Sequence, residues 1–511
     1  MAVPPAQQLD LLVLADLHYV GRADHTCPVP SRRARLGREL AERAVRRALR
    51  QSRPDAIAVL GDVVDDGLAL RADEDILAVA ETLRRFEIPV LAVPGNHDGA
   101  PRRLLTLFGD RPGVHELGGY QLVTIASRYD ERDVTRYTEA DLAMVARAAA
   151  AAPSKPIVVL QHNPVHPPIE ESYPYNPANA DEIVRCYEEA GVLLSISGHY
   201  HAGIGAERIR AEARTQNSTE GVWYVTAPAL CEEPFRFLLV RLRGRSVQVR
   251  EHALKMEDPF LWDIHCHTHY ASCRDDVDAR GAIERSRLMG LRGLVFAEHS
   301  TQLYVGQEDF WSARFFQDPD MLRRNRRTPV CRMDAYLAEM LPLRSGFVRL
   351  GLEVDSDGRG GITLLDEDRK YWDLLVGAVH WVPFFDPATA SDAERARRFM
   401  EATESVVRAG VNVLAHPFRY FRRNQAERPK ELYRPLARLL AETGVAAEIN
   451  FHTNEPDPDF FAICLEEGVR IALGTDSHAL WEVGELWPHL DVLRRAGCSE
   501  GDLPRILFRP S

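Results

Sequence analysis

The stretch Trp262-Asp263-Ile264-His265-Cys266-His267-Thr268-His269, at the middle of a 511-residue chain, decides how the rest is read. His265 and His267 stand two apart, just after the apolar pair Leu261 and Trp262. On a strand, residues two apart project from the same face, which places both imidazoles side by side near a strand end. Two imidazoles there suit a bound metal better than a hydrophobic core. The same device occurs earlier, as Asp16 and His18, and later, as Asp476 and His478. The chain reads as two metal-ligand arrays in series, and the quoted stretch opens the second.

A chain of 511 residues is too long for one hydrophobic core, so two or more domains are expected. Apolar residues at 45% and charged residues at 27% are the proportions of a globular protein. The net charge of -12 weighs against a nucleic-acid partner, which calls for a basic excess, without excluding one. It leaves room for an anionic substrate, because bound divalent cations reverse the local field. The eight cysteines are scattered and form no CxxC pair, which predicts a reduced, cytoplasmic protein. The opening MAVPPAQQLD has neither the basic patch nor the apolar run of a signal peptide. No apolar run approaches the roughly 18 residues of a membrane span, so no membrane partner is expected.

In the first half, short apolar runs meet polar residues at once. Residues 11–15 lead to Asp16 and His18, and 57–60 lead to GDVVDDG with Asp62 and Asp65. Residues 90–93 lead to Asn96 and His97, 157–160 to His162, and 192–196 to His199 and His201. Helical spacing over 34–50, 73–86 and 139–152, a sheet segment near 120–126 and closing strands within 235–250 predict a layered α/β fold. Ligands bind at the carboxyl ends of strands in such sheets. Gly61, Gly95 and Gly198 fit tight turns there. Taken singly, Asp16 could be a helix cap and Asn96 a turn former. Five such positions in register argue for one shared site.

The motifs D-x-H, GDVVD, GNHD, H-x-P and GHYH, in this order over about residues 9–250, resemble the calcineurin-like metallophosphoesterase family. The resemblance implies a four-layer α/β/β/α sandwich over 1–256 holding two divalent metals. Asp62 would bridge them, Asp16, His18 and His201 would complete one, and Asn96, His162 and His199 the other. His97 would donate to the phosphate or the leaving group, oriented by Asp65. Mixed imidazole and carboxylate ligands fit manganese, iron or zinc. Val225–Leu230 with Pro234-Phe235-Arg236-Phe237 is similar to the cyclic-nucleotide phosphodiesterase branch.

Residues 251–260 (EHALKMEDPF) read as a linker, with a boundary near 257. Beyond it the pattern repeats. Residues 294–297 precede Glu298 and His299, 347–352 precede Glu353 and Asp355, and 374–379 precede His380. Residues 411–415 precede His416, 445–449 precede Asn450 with His452 nearby, and 470–473 precede Asp476 and His478. Helix-like segments at 279–289, 391–408, 431–443 and 457–467 intervene. With the opening strand there are seven runs, which suggests a barrel with its site at the carboxyl rim.

This half resembles the polymerase and histidinol phosphatase (PHP) domain over about 261–480, through HxHT, EH, GLEVD, GAVHW, AHP and GTDSH. GLEVD and GAVHW are most similar to the histidinol-phosphatase branch. The resemblance implies a distorted (βα)7 barrel over 257–511 with two or three divalent metals (zinc, manganese or iron). The ligands would be His265, His267, His299, Glu353, His380, His416, Asp476 and His478, with Glu353 bridging. Many members carry a further His eight residues after the first, where this chain has Cys273, which leaves the third metal open. Thr268 and His269 are expected to be structural. The Arg- and aromatic-rich segment 302–345 is either a solvated face or a lid whose arginines grip a substrate phosphate. Arg419, Arg422 and Arg423 invite the same two readings.

The resulting expectation is a metal-dependent phosphoesterase with two active sites. It would hydrolyse small phosphodiesters, cyclic nucleotides among them, and phosphomonoesters by metal-bound hydroxide, with a small phosphorylated metabolite as partner. The alternatives are a nuclease, or a regulatory protein with one silent domain. Substrate identity, native metals and oligomeric state are left open by the sequence.

Overall fold

Strands β1 (Gln8–Leu14), β2 (Ala56–Leu60) and β3 (Val90–Val93) run parallel at the heart of the first half. The computed structural model describes residues 7–22, 27–209, 221–318, 320–383, 385–386 and 390–510, so the first residues of MAVPPAQQLD lie outside it. The chain divides into two compact units, Met1–Lys255 and Met256–Ser511.

The first unit holds two sheets. β4 (Gly113–Leu117), β5 (Tyr120–Thr124), β6 (Ile157–Leu160), β7 (Val192–Ser197), β8 (Ile204–Ile209) and β9 (Val222–Thr226) form one, ordered β4-β5-β6-β7-β9-β8. β10 (Arg236–Arg243) and β11 (Ser246–Ala253) extend the other, ordered β11-β10-β1-β2-β3. Alternation explains the layering. Leu11, Val13, Ala58 and Leu60 of one sheet share a buried cluster with Leu122, Val158, Leu160 and Ile196 of the other. The next residues along, Val123 and Val159, turn the opposite way, onto Val145 of α4 (Glu139–Ala151) and Ile183 and Tyr187 of α5 (Ala180–Glu189). On the far side α1 (Gly37–Gln51) packs against β1 and α2 (Ala72–Arg84). The order is helix, sheet, sheet, helix.

Some elements carry little periodic signal. Helix α3 (Pro101–Phe108) is short, β4 alternates between half-buried and exposed residues, and α5 buries only Ile183 and Tyr187. The proposed linker also needs correction at its start. Residues 251–253 belong to β11, with Ala253 opposite Arg236 and the His252 ring stacked on Phe237. The buried Arg47 guanidinium donates to the Ala253 and Leu254 carbonyls. This edge strand is mostly polar, so its end resembles a connector in sequence.

In the second unit β12 (Trp262–Cys266), β13 (Gly293–His299), β14 (Val348–Asp355), β15 (Leu374–Ala378), β16 (Val413–Leu414), β17 (Ala446–Ile449) and β18 (Ile471–Leu473) pair in sequence order, all parallel. The ring closes where Cys266 bridges Ser477, and the Asp476 N–H donates to the His265 carbonyl at 2.7 Å. Apolar residues from six of the seven strands, among them Ile264, Val295, Ala297, Val376, Ala378, Val413, Ala446 and Ala472, cluster together as the barrel interior. Period two then carries functional side chains onto that inner face: Ala297 is followed by His299, Ala378 by His380 and Ala446 by Glu448. α6 (Ala279–Leu288) and helices Asp392–Arg408, Tyr433–Thr443, Pro458–Glu466 and Trp487–Arg495 cover the outside. Among the described residues no helix is long and apolar enough to cross a membrane.

Two candidate metal centres

In the first unit the strand-end residues converge. Asp62 Oδ2 lies 3.6 Å from His18 Nε2 and 3.5 Å from His162 Nε2, so one carboxylate stands between two imidazoles. On one side His18 Nε2 is 3.3 Å from His201 Nε2, with Asp16 Oδ1 3.7 Å from the latter. On the other, His162 Nε2 lies 3.0 Å from His199 Nδ1 and 3.3 Å from Asn96 Oδ1. All the sequence-expected ligands of this half are thus brought together. Asp16, His18, Asp62 and His199 have positive φ (53°, 45°, 49° and 69°). Left-handed backbone is costly for residues with a Cβ and gathers at functional sites. Here it turns the chain sharply at each strand end, so that the side chain crosses the sheet edge.

The outer nitrogens fix what the inner ones do. His162 Nδ1 must donate to the Leu60 carbonyl, 2.6 Å away. A neutral imidazole then has a bare Nε2, facing the acceptor Asn96 Oδ1 and another imidazole nitrogen. Acceptors that face one another in a buried space call for a cation. Two nitrogens about 2.0–2.1 Å from one tetrahedral cation lie about 3.3 Å apart, which the observed separations match. The donor set therefore fits divalent metals. With protons alone to serve it, His162 is driven the other way: burial lowers its pKa, but Asp62 outweighs that and holds it at about 9.

Asp65 meets two histidines. Its carboxylate lies 3.2 Å from His18 Nδ1 and 3.2 Å from the Arg32 guanidinium, and so orients His18. His97 is oriented by the Asp65 backbone carbonyl, 2.7 Å from its Nδ1. The turn after β2 brings the Asp65 main chain against His97. Glu232 plays the matching part for His201, 2.9 Å from its Nδ1. Asp98, fully buried, accepts from the N–H groups of Val63, Val64 and Gly95 and braces both ligand loops. The sequence reading missed Arg32, Asp98 and Glu232; the DG after GNH was the visible sign of Asp98.

The second centre repeats the plan around Glu353. Its Oε1 lies 3.0 Å from His416 Nε2 and 3.4 Å from His380 Nε2. Its Oε2 lies 3.7 Å from His265 Nε2, 3.8 Å from His267 Nε2, and also against His299 Nδ1. Burial raises the Glu353 carboxyl, but His380, His299 and His265 outweigh it and keep the pKa well below the ordinary value. His267 Nε2 is 2.9 Å from Asp476 Oδ1. Again the outer nitrogens are tied: His265 to Glu448 (2.9 Å), His267 to Glu298 (3.2 Å), His380 to Asp355 (2.9 Å) and His478 to the Asp476 carbonyl (2.7 Å). Such partners orient ligating imidazoles and raise their basicity. Among the described residues the buried His265 Nε2 has no hydrogen-bond partner, as a lone pair shaped for a cation would not. His416 and Asp476 also have positive φ.

A cavity of about 280 Å³ opens above this cluster, with Cys273, His299, His380, Arg423 and His478 in its lining. Cys273 Sγ lies 3.0 Å from His478 Nε2 and 3.5 Å from His299 Nε2, within reach of whatever those rings bind. Arg419 is buried between Asp476 Oδ2 (2.6 Å) and His380 Nε2 (2.7 Å). In the segment 302–345 Arg314 pairs with Asp309, Arg324 with Asp318, and Arg326 with Asp334 and with Asp368 beyond the segment, so these three guanidinium groups are held in ion pairs. Thr268 bonds Glu298, while His269 faces Glu339 away from the centre.

Residues 9–203 match the family model for calcineurin-like phosphoesterases, and residues 263–452 match that for the PHP domain. No curated protein matches the chain. Among solved structures, a dimetal phosphatase from Danio rerio is similar at 19% identity and TM-score 0.38, covering 48% of this chain and 98% of its own. A protein assigned as histidinol phosphatase hisK from Listeria monocytogenes is similar at 13% identity and TM-score 0.34, covering 44% and 97%. A purple acid phosphatase from yellow lupin gives 11% and 0.35, covering 48% and 51%.

Proposed function

Because the chain joins a calcineurin-like phosphoesterase to a PHP domain, both from metal-dependent phosphoesterase families, we propose that it opens small phosphodiesters at the first centre and hydrolyses phosphomonoesters at the second. The active units fall within 1–256 and 257–511. The observation that supports two working centres is their shared plan: a buried carboxylate, Asp62 or Glu353, flanked on both sides by imidazoles whose far nitrogens are mostly tied down.

In this reading Asp62, with Asp16, His18 and His201 on one side and Asn96, His162 and His199 on the other, would hold the cations of the first centre. Glu353, with His265, His267, His299, His380, His416, Asp476 and His478, would hold those of the second. When bound, paired divalent cations supply an activated water and neutralise phosphoryl charge. The residues do the rest. His97 donates its Nδ1–H to the Asp65 carbonyl, so it can give a proton from Nε2 to the leaving oxygen only when both ring nitrogens are protonated. Arg423, without an ion-pair or hydrogen-bond partner among the described residues, faces the second cavity and suits a phosphate oxygen.

Opening a diester makes a monoester, so the first product has the chemical class of the second substrate; cyclic nucleotides are one candidate class. The test feeds cyclic and linear diesters to the manganese-loaded chain. Asp62→Asn should block diester opening and spare monoester hydrolysis, while Glu353→Gln should let the monoester accumulate. Unchanged phosphate release from the diester in Glu353→Gln would refute the sequential reading.

A further inference from the structure

Asn96 is the one expected ligand of the first centre whose side chain has two unlike ends. An amide presents an oxygen that accepts and an NH2 that only donates, on nearly the same shape. A cation can be held by the oxygen alone, so the amide must be kept from turning over. Its Oδ1 lies 3.3 Å from His162 Nε2, and its Nδ2 donates to the Tyr173 hydroxyl at 3.3 Å. The Tyr173 hydroxyl in turn donates to Asp133 Oδ2 at 3.1 Å.

Proton counting gives this relay a direction. A carboxylate only accepts, so the phenolic proton goes to Asp133. The Tyr173 oxygen then offers Asn96 nothing but lone pairs, which only Nδ2 can satisfy. The other end of the amide, Oδ1, is thereby left toward His162. Both outer residues are built into place. Asp133 sits at φ 59° in a turn where Asp130 Oδ1 accepts from the Arg132 and Val134 N–H groups. Tyr173 packs on Tyr175 at 5.0 Å and on His199 at 5.5 Å. The two loops are joined through Asn163, which accepts from the Tyr129 hydroxyl at 2.7 Å and donates to the Tyr175 carbonyl at 2.9 Å.

We propose that Asp133 and Tyr173 are positioning residues that fix which end of the Asn96 amide faces the first centre. The inference rests on the reading of Asn96 as a metal ligand. Both residues act through Asn96, so their loss should weaken metal binding at the first centre and leave the second alone.

The test uses the full chain. Manganese bound per chain is measured at graded free manganese, with the metal dependence of diester turnover in parallel; the second centre contributes equally in every variant. Tyr173→Phe should weaken manganese binding at the first centre by about tenfold. Asp133→Asn, whose new side chain tolerates the same left-handed backbone, should fall between Tyr173→Phe and the parent. The deciding comparison is made in Asn96→Asp. A carboxylate has an oxygen at both ends and needs no orienting partner, so Tyr173→Phe in that background should change manganese affinity by less than about twofold. Equal losses in both backgrounds would reduce Tyr173 to a packing role and overturn the proposal, as would unchanged affinity in Tyr173→Phe alone. Asn96→Ala separates the two levels. If it leaves the first centre's manganese undiminished, the metal reading of Asn96 is refuted and the relay with it; if it empties that position while Tyr173→Phe costs the same in both backgrounds, the relay alone is refuted.

Discussion

His265 Nδ1 lies 2.9 Å from Glu448 Oε1, and both side chains are completely buried. Glu448 is the hub of the second centre's support: its other oxygen accepts from the His416 N–H at 2.8 Å and from the Asn450 amide at 3.0 Å. One carboxylate thereby holds the His265 ring on β12 and the His416 backbone just after β16.

The first prediction follows from that hub. Glu448→Gln keeps the shape but removes the charge that makes His265 a stronger donor to metal. The expected outcome is a loss of metal affinity of about 10- to 100-fold at the second centre only. Metal content after graded chelation, with Asp62-dependent diester activity as internal control, checks it. An unchanged metal content would refute the supporting role.

Gly474 offers a steric counterpart. A Cβ there would collide with the Glu448 carboxylate and approach the His265 Cβ at 2.8 Å. Gly474→Ala should cost about 1–3 kcal/mol of stability through overpacking and disturb the same two residues. Thermal unfolding and metal content should fall together; a fall in stability with full metal occupancy would separate the glycine from the site.

Asp65 and His97 can be told apart by substitution. Asp65→Asn removes the partner of His18 and Arg32 but leaves the backbone carbonyl that holds His97. Metal affinity at the first centre should drop by about tenfold or more, while the dependence of rate on leaving-group pKa stays as in the parent. A changed leaving-group slope with normal metal content would return Asp65 to the His97 role.

His97→Ala should do the reverse. Metal content should be preserved and turnover slowed by about 100- to 10,000-fold for poor leaving groups, with a smaller loss for nitrophenolate esters that need no proton. Equal losses across leaving groups would rule out proton donation.

Much of this was legible in the sequence because the ligands are local in kind. Each expected ligand, from Asp16 to His478, follows an apolar run, and a strand end places its next residues at the sheet's carboxyl edge whatever the rest of the chain does. Motif order then supplied the pairing of runs with roles. The seven runs of the second half likewise implied a parallel barrel, since each is followed by a crossover too long for a hairpin.

What tertiary structure alone decided is the set of partners far apart in the chain. Glu448 reaches His265 across 183 residues, Glu232 meets His201 from beyond β9, and Arg32 reaches Asp65 from the loop before α1. Glu448 left one trace, a charge inside the apolar run AAEI, but nothing in the run names its partner. The Asp65 side chain meets His18 and its main chain meets His97. The fate of the arginines in 302–345 depended on carboxylates such as Asp368, which only packing brings near. Ligand type and strand order are written in short-range pattern, whereas which oxygen locks which imidazole depends on how barrel and sandwich close, and closure is a property of the whole fold.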